Sequence, residues 1–227
     1  THLLNHALRT VLGPEVEQRG SLVADDRLRF DFSHASAMTP TELAEVEIRI
    51  QNAIIAGLEV DAVEVPLADA ETISGVRAVF GERYPDPVRV VSIGVPVQEL
   101  VASPRNEQWN GYSIEFCGGT HLEKTSDAAH AVLLSEQGLA AGVRRITALT
   151  GEAADAARAA GAELLAQARA LEEHSGEDLL TAHDAVNGAV EQAVIGTVHR
   201  HEILGLIEAQ RDRIRAARKE RSSAGVA

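Results

Sequence analysis

The feature that most constrains the fold is a change of pattern near Gly151 in this chain of 227 residues. Before this glycine, short stretches rich in Val and Ile, typical of strands, are interleaved with amphipathic helical stretches. After it, long Ala-rich stretches predict helices alone. We therefore place a boundary here, with one domain over residues 1–151 and a helical segment over residues 152–227.

Helical periodicity predicts two helices in the first region. One begins near Leu3, carries apolar residues at helical spacing and is stopped by Gly13-Pro14. The other begins at a capping box, with Thr39 as the N-cap and Glu42 at the third helical position, and closes at Gly57.

The remaining pattern predicts the fold class. The predicted strands cover residues 27–33, 60–67, 88–93, 113–116, 131–134 and 145–149. Strands interleaved with few helices predict an α+β fold with a largely antiparallel sheet and packed helices. Beyond the boundary, residues 152–173 and about 188–218 predict two helices with a turn around Gly176, which would pack as an antiparallel α-helical hairpin.

Charge and composition restrict the partners. The 21 basic and 34 acidic residues give a net charge of −13, which argues against a protein that coats DNA or RNA through bulk charge. A site that binds one RNA end through local contacts remains compatible with this net charge. The basic run from Arg211 to Arg221 is most often a solvated helix face. No apolar stretch approaches the roughly 18–20 residues of a membrane span, so no membrane partner is expected.

The single cysteine, Cys117, excludes an internal disulfide and so argues against a disulfide-stapled secreted scaffold. A reducing compartment fits better. We expect a cytoplasmic protein, with the interior of an organelle as the alternative.

The most specific motif is Cys117-Gly118-Gly119-Thr120-His121. A thiolate and an imidazole four residues apart can bind one zinc ion, and the glycines allow a sharp turn or the close approach of a ligand. A buried, inert cysteine is the commoner explanation of such a pair. On the first helix, His2 and His6 also lie four apart, so spacing alone does not decide which histidine would join the metal.

Ordered blocks of this sequence resemble the editing domain of alanyl-tRNA synthetases. They include Gln18-Arg19-Gly20-Ser21 and Cys117-Gly118-Gly119-Thr120-His121, and together they cover residues 1 to about 151. The full set of blocks is 1–4, 18–23, 28–34, 80–84, 88–94, 117–121 and 141–146. Residues 152–227 resemble the helical segment that leads toward a C-terminal domain in the full synthetase.

The resemblance implies a zinc site built from a His-x-x-x-His helix and the Cys-x-x-x-His loop. Matched position by position, His2, Cys117 and His121 are ligands of one zinc ion, and His6 is not a ligand. The fourth ligand would be a histidine three residues upstream of Thr1, so we expect the chain to be part of a longer protein.

The resemblance also makes Gln18 and Thr1 catalytic-site candidates that contact the misattached amino acid. We predict that Arg144, together with Gly118 and Gly119, contacts tRNA, because a phosphate backbone requires local positive charge and close backbone approach.

The implied function is hydrolysis of seryl- or glycyl-tRNA of the alanine type, the partner being the tRNA acceptor end that carries the wrong amino acid. Such a site is needed because an alanine pocket rejects glycine and serine by only about 1–3 kcal/mol. The parent protein would attach alanine to tRNA using ATP, through a region upstream. The alternatives are a free-standing trans-editing hydrolase and a non-catalytic tRNA-binding or dimerising segment. A homo-oligomer through the helical segment is a further expected partner.

Overall fold

A computed structural model describes residues 1–79 and 81–224 of the chain. Phe80, which belongs to one of the resembling blocks, and residues 225–227 of the predicted helical segment lie outside the described residues. The helices are α1 (His2–Leu12), α2 (Pro40–Ile55), α3 (Leu67–Ala70), α4 (Val97–Ala102), α5 (Gly151–Ala170), α6 (Gly176–Gln192), α7 (Thr197–Ala209) and α8 (Arg211–Ala224). The strands are β1 (Gln18–Val23), β2 (Leu28–Ser33), β3 (Val60–Val65), β4 (Val88–Ile93), β5 (Ser113–Phe116), β6 (Ala131–Ala140) and β7 (Val143–Thr150).

The strands form two antiparallel sheets. One sheet has four strands in the order β1-β2-β7-β6, and the other has three in the order β3-β4-β5. The predicted α+β class with antiparallel pairing and packed helices is therefore confirmed. The sequence had indicated one sheet, whereas the structure divides the strands between two.

The four-stranded sheet is covered by α1 and α2. Alternation along β2 turns Phe30 and Phe32 fully inward, where they pack against the apolar stripe of α2. The capping box that predicts the start of α2 is confirmed, because the Thr39 N–H donates to Glu42 Oε2 at 2.7 Å and the Glu42 N–H donates to Thr39 Oγ1 at 3.2 Å.

Helix α1 lies between the two sheets, packed into the core of the four-stranded sheet and also in contact with β5 of the three-stranded sheet. Along β5, Ile114 and Phe116 point into the core of this sheet. Ser113 and Glu115 point the other way, toward α1, because successive strand residues face opposite sides. The side of α1 that carries His2 and Asn5 therefore lies against β5.

The helical segment differs from the predicted hairpin. Four helices, α5 to α8, occupy the described part of this segment where two were predicted. Gly176, predicted to lie in a turn, has a positive φ of 55° and begins α6, whose buried stripe includes Leu179, Val186 and Val190. The predicted second helix is interrupted between α6 and α7, where the Arg200 guanidinium donates to the carbonyls of Val190 and Ala193.

The helical segment packs directly on the four-stranded sheet. Val132 and Leu149 of that sheet form one buried cluster with Ala154 and Ala157 of α5. The change from β7 to α5 falls at Thr150–Gly151, and the division into two domains stays a prediction. Within residues 1–79 and 81–224, no helix has the length and apolar character needed to cross a membrane.

Candidate metal centre and adjoining cleft

Three side chains predicted as metal ligands meet where α1 begins and β5 ends. His2 is the first residue of α1, and Cys117 directly follows β5, where its N–H donates to the Arg89 carbonyl at 3.1 Å. The Nε2 atoms of His2 and His121 lie 3.0 Å apart, and the ligand atoms of all three residues lie within 4.8 Å of one another. The fold thus brings together residues that are more than a hundred positions apart in sequence.

This donor set fits zinc. Two imidazole nitrogens bound to one tetrahedral zinc ion at about 2.0–2.1 Å stand about 3.3 Å apart, close to the separation observed between His2 and His121. Two imidazoles and a thiolate are also ligand types that zinc takes in proteins. Within the described residues, the only group of three or more potential metal ligands is this one, which leaves His6 out. The fourth ligand, a histidine upstream of Thr1, stays a prediction.

A buried carboxylate supports the first ligand. Glu115 Oε2 lies 2.7 Å from His2 Nδ1, and Glu115 Oε1 accepts a hydrogen bond from Asn5 Nδ2 at 2.9 Å. With Nδ1 held by Glu115, the His2 ring turns Nε2 toward Cys117 and His121. Burial raises the pKa of Glu115, but the hydrogen bonds from His2 and Asn5 outweigh it and hold that pKa below its usual range.

The electrostatics of the three candidate ligands are coupled. Burial lowers the pKa of His2, but hydrogen bonds with Cys117 and Glu115 prevail and raise it to about 9. The hydrogen bond from His2 lowers the pKa of Cys117, which favours the thiolate that binds metals. Burial and the positive charge on His2 lower the pKa of His121 to about 4, so that its imidazole is neutral near pH 7.

Gly118 and Gly119 form an exposed bend beside the thiol. The Gly119 N–H donates to Cys117 Sγ at 3.4 Å, and its carbonyl accepts a hydrogen bond from Arg89. A Cβ at Gly118 would meet no atom within 4 Å, so the backbone here is open to close approach by a ligand. The predicted contact of these glycines with tRNA stays a prediction.

The two candidate amino-acid contacts lie in different places. Thr1 stands immediately before α1, next to the candidate ligands, and its carbonyl accepts from the Asn5 N–H at 2.9 Å. Gln18, on β1, lines a cavity of about 200 Å³ together with Asn5 and Glu115. Its amide donates to Ser21 Oγ at 3.0 Å. No hydrogen bond within the described residues joins Gln18 to Thr1, and the roles of both stay predictions.

Arg144 lies on β7, and its guanidinium is already hydrogen-bonded. Arg144 donates two hydrogen bonds to Glu136 of β6, one of them from Nη2 to Oε2 at 2.8 Å. A phosphate would have to compete with this carboxylate, and the predicted contact with tRNA stays a prediction.

Glu115 is the functional side chain that sequence reasoning missed. Residues 113–116 were predicted as a strand, but a glutamate in a strand of four residues has no distinctive local pattern. The alternation of apolar and polar residues along this strand nevertheless indicates which side Glu115 faces. Ile114 and Phe116 are apolar, so Glu115 must face the opposite side, two residues before the cysteine of the motif.

Comparison with known proteins places this site in a family. Residues 88–147, from β4 into β7, match the family described as the second additional domain of threonyl and alanyl tRNA synthetases. The matched segment contains Glu115, Cys117 and His121. The match indicates a domain of the aminoacyl-tRNA synthetase class.

Relatives narrow the class further. The chain is 56% identical over 161 residues to the mitochondrial alanine–tRNA ligase of Saccharomyces cerevisiae, covering 70% of this chain and 16% of that protein. It is 53% identical over 157 residues to the cytoplasmic alanine–tRNA ligase of Dictyostelium discoideum, covering 69% of this chain and 17% of that protein. It is also 51% identical over 154 residues to the alanine–tRNA ligase of Acetivibrio thermocellus, covering 68% of this chain and 16% of that protein. The chain belongs to the alanyl-tRNA synthetase family, and it spans about a sixth of the length of the curated relatives it matches.

Proposed function

We propose that this chain is the editing part of an alanine–tRNA ligase, which hydrolyses seryl- or glycyl-tRNA of the alanine type at a site that holds one zinc ion. The observation that carries the proposal is the convergence of His2, Cys117 and His121 beside a cavity lined by Gln18. Membership of the alanyl-tRNA synthetase family and the match to the second additional domain support it.

The proposed reaction is hydrolysis of an ester. Water attacks the carbonyl carbon of the aminoacyl group, the bond from that carbon to the ribose oxygen of the terminal adenosine breaks, and the ribose oxygen leaves with a proton as a hydroxyl group. The products are the free amino acid and tRNA. When bound, zinc supplies a Lewis acid that can orient the terminal adenosine or lower the pKa of a water molecule.

The chain's own residues prepare the site. Glu115 fixes the tautomer and the orientation of the His2 ring, a role that carboxylates commonly play behind ligating histidines. The lowered pKa of Cys117 favours the thiolate, and the adjacent bend at Gly118 and Gly119 leaves its surroundings open.

Discrimination against the correct product requires polar groups that only the wrong amino acid satisfies. Serine carries a hydroxyl group, whereas alanine would leave a buried hydrogen-bonding partner unpaired at a cost of about 1–3 kcal/mol. We assign this partner role to Gln18, because this residue lines the cavity together with Glu115. Thr1, next to the candidate ligands, is assigned a second contact to the amino acid.

The proposal also covers the activity of the whole parent protein, its cellular location and its self-association. The parent protein would attach alanine to tRNA using ATP, and its tRNA acceptor end is the partner of this site. Relatives are named as cytoplasmic in D. discoideum and mitochondrial in S. cerevisiae, so a cytoplasmic location and the interior of an organelle both stay predictions. Self-association through the helical segment also stays a prediction.

The test is the release of labelled serine from seryl-tRNA by the chain loaded with equimolar zinc. We expect hydrolysis of seryl-tRNA and sparing of alanyl-tRNA. Gln18→Ala should lower kcat/KM for seryl-tRNA by about tenfold, because the hydroxyl group loses its partner. The matched control is Gln137→Ala, an exposed glutamine on β6, which should leave hydrolysis unchanged.

Metal content is measured in parallel. Cys117→Ala should lower the zinc content of the purified chain, whereas His6→Ala should not, because His6 lies outside the candidate cluster. A chain that binds zinc in equimolar amount and leaves seryl-tRNA intact would contradict the editing assignment and favour a non-catalytic tRNA-binding segment. A zinc content unaffected by Cys117→Ala would contradict the ligand set.

A further inference from the structure

One buried polar side chain of α1 carries an acceptor atom that the fold leaves unpaired. Asn5 lies in the first turns of this helix, and only 4% of its surface is exposed. Its Nδ2 donates to Glu115 Oε1 at 2.9 Å, but its Oδ1 has no hydrogen-bond partner among the residues that the structure describes. A buried amide oxygen without a partner destabilises a fold, so its presence requires an explanation.

The bond to Glu115 determines which end of the Asn5 amide stays unpaired. A carboxylate oxygen accepts hydrogen bonds, so the donor Nδ2 must face Glu115 and the acceptor Oδ1 must point elsewhere. Asparagine is also a poor helix former, so local propensity does not favour it at this position. The support of Glu115 therefore explains the nitrogen of this side chain and leaves its oxygen unexplained.

Asn5 also lines the cavity of about 200 Å³ to which Gln18 and Glu115 contribute. Several buried side-chain polar atoms lack a partner in the described part of the chain, and Asn5 Oδ1 is the one whose residue belongs to this lining. A hydrogen-bond donor on a molecule bound in the cavity would satisfy this oxygen.

The other acceptors of the lining side chains are less suited to a buried donor. Both oxygens of Glu115 are taken, one by His2 and the other by Asn5. Glu17 is exposed and already forms an ion pair. Gln18 is only partly buried, so water can take the place of a lost partner there.

A neutral hydroxyl group suits the unpaired oxygen better than an ammonium group does. An ammonium group would bring its positive charge to a cavity that Arg9 and Arg77 line, while the carboxylates of the same lining are already paired. A hydroxyl group adds no charge and donates one hydrogen bond. The side chains of alanine and glycine carry no donor, so either amino acid would leave Asn5 Oδ1 unpaired.

We infer that Asn5 is a specificity-determining residue of the proposed editing site, and that its Oδ1 accepts a hydrogen bond from the hydroxyl group of the misattached serine. The identity of this ligand rests on the proposed function. Because Asn5 is buried and Gln18 is only partly so, an unpaired acceptor costs more at Asn5. Asn5 therefore contributes more than Gln18 to the rejection of alanine.

The test is calorimetric titration of the full 227-residue chain, in the presence of equimolar zinc, with non-hydrolysable adenosine analogues. In these analogues, an amide joins serine, alanine or glycine to the 3′ position of adenosine. Asn5→Ala should weaken the binding of the seryl analogue about tenfold more than that of the other two, because only serine loses a partner. Loss of the bond to Glu115 affects all three analogues alike, so the ratio of their affinities isolates the hydroxyl contact. The matched control is Asn52→Ala, an exposed asparagine on α2, which should leave this ratio unchanged.

A second measurement uses the original chain and does not depend on the folding of a variant. The O-methylseryl analogue keeps the side-chain oxygen but lacks the hydroxyl hydrogen. We expect it to bind the original chain about tenfold more weakly than the seryl analogue does. In Asn5→Ala, which removes the acceptor and makes room for the methyl group, the two analogues should bind alike. Circular dichroism verifies that the variants fold.

A ratio of seryl to alanyl affinity that is unchanged in folded Asn5→Ala would overturn the inference, even if the chain hydrolyses seryl-tRNA. Equal weakening of all three analogues would also overturn it, in favour of a contact with the α-ammonium group or of the support of Glu115 alone. If the original chain binds the O-methylseryl and seryl analogues equally well, the hydroxyl group donates no hydrogen bond and the inference fails. Conversely, a seryl preference that depends on Asn5 in a chain that hydrolyses no seryl-tRNA would support the inference and contradict the proposed hydrolysis. Absence of binding of any analogue to the original chain would contradict both.

Discussion

At the scale of single residues, one carboxylate joins parts of the chain that lie 110 or more positions apart. Glu115 contacts His2 and Asn5 of α1 from the middle of β5. It is buried, and burial alone would favour its neutral form. The two hydrogen bonds instead stabilise the carboxylate, which in turn fixes the ring of a candidate zinc ligand.

We predict that Glu115→Gln weakens zinc binding by about 10–100-fold, the usual range for groups that support ligating histidines. The carboxylate accepts from both His2 and Asn5, whereas an amide presents one acceptor and one donor and therefore cannot satisfy both neighbours. Zinc affinity is measured by competition with a chromophoric chelator.

The matched control is Glu64→Gln, an exposed glutamate on β3, which should leave zinc affinity unchanged. If Glu115→Gln folds, as judged by circular dichroism, and still binds zinc with the original affinity, the His2 ring does not depend on this carboxylate.

A short motif in the sequence identifies two of the three side chains that the structure brings together. Cys117 and His121 stand four apart in one loop, and the structure does bring them together with His2. Glu115 could not be recognised in the same way. Alternation along β5 shows which side of the strand Glu115 faces, but not that α1 packs on that side, because this long-range contact leaves no local pattern.

At the scale of elements, local signals decided which predictions held. The start of α2 was predictable because the side chains of Thr39 and Glu42 each accept a hydrogen bond from the other residue's backbone N–H within one turn. By contrast, α6 was missed because Gly176 suggested a turn, whereas its positive φ serves to begin a helix. Helix α6 is stabilised by the burial of Leu179 and Leu180 against α8.

Close packing of α5 on α7 leads to a second prediction. An ideal Cβ at Gly161 would lie 2.6 Å from His199 Nδ1 and 2.7 Å from Cγ of the same ring. Gly161→Ala should therefore destabilise the chain, because forcing the helices apart costs about 1–3 kcal/mol and helix propensity returns only about 1 kcal/mol. Urea unfolding followed by circular dichroism measures the free energy of unfolding.

Gly205→Ala on α7 is the matched control, and its expected effect on the free energy of unfolding has the opposite sign. A Cβ there meets no atom within 4 Å, so the substitution should stabilise the chain by about 0.5–1 kcal/mol. Equal effects of the two substitutions would show that the contact between Gly161 and His199 does not limit the packing of these helices.

At the scale of the whole molecule, the charge is unevenly arranged. The net charge of −13 follows from composition, but composition does not predict that Arg9, Arg49 and Arg77 line one cleft of about 500 Å³. Those arginines come from α1, α2 and a loop before β4, and only the packed fold places them together. A strongly acidic chain can therefore carry a locally basic cleft.

The two regions of the chain are joined at Glu47. This residue of α2 accepts a hydrogen bond from the Leu133 N–H of β6 at 2.7 Å. It also lies near Gly196, at the start of α7. Burial raises the pKa of Glu47, and the hydrogen bond from Leu133 only partly offsets this. The folded chain therefore retains the proton at pH values where the unfolded chain has released it.

The sign of the resulting pH dependence follows from the raised pKa. The stabilisation linked to the proton on Glu47 is fully present below the unfolded pKa of about 4.3 and is lost as pH rises through the folded pKa. Glu47→Gln keeps an oxygen acceptor for Leu133 and never ionises. We therefore predict that the free energy of unfolding of Glu47→Gln, relative to the original chain, increases as pH rises from acidic to neutral values.

Urea unfolding of both chains across this pH range measures the difference, and Glu99→Gln, exposed on α4, should show no such trend. A relative stability of Glu47→Gln that is constant or falls with rising pH would mean that Glu47 carries its charge at this junction without a penalty.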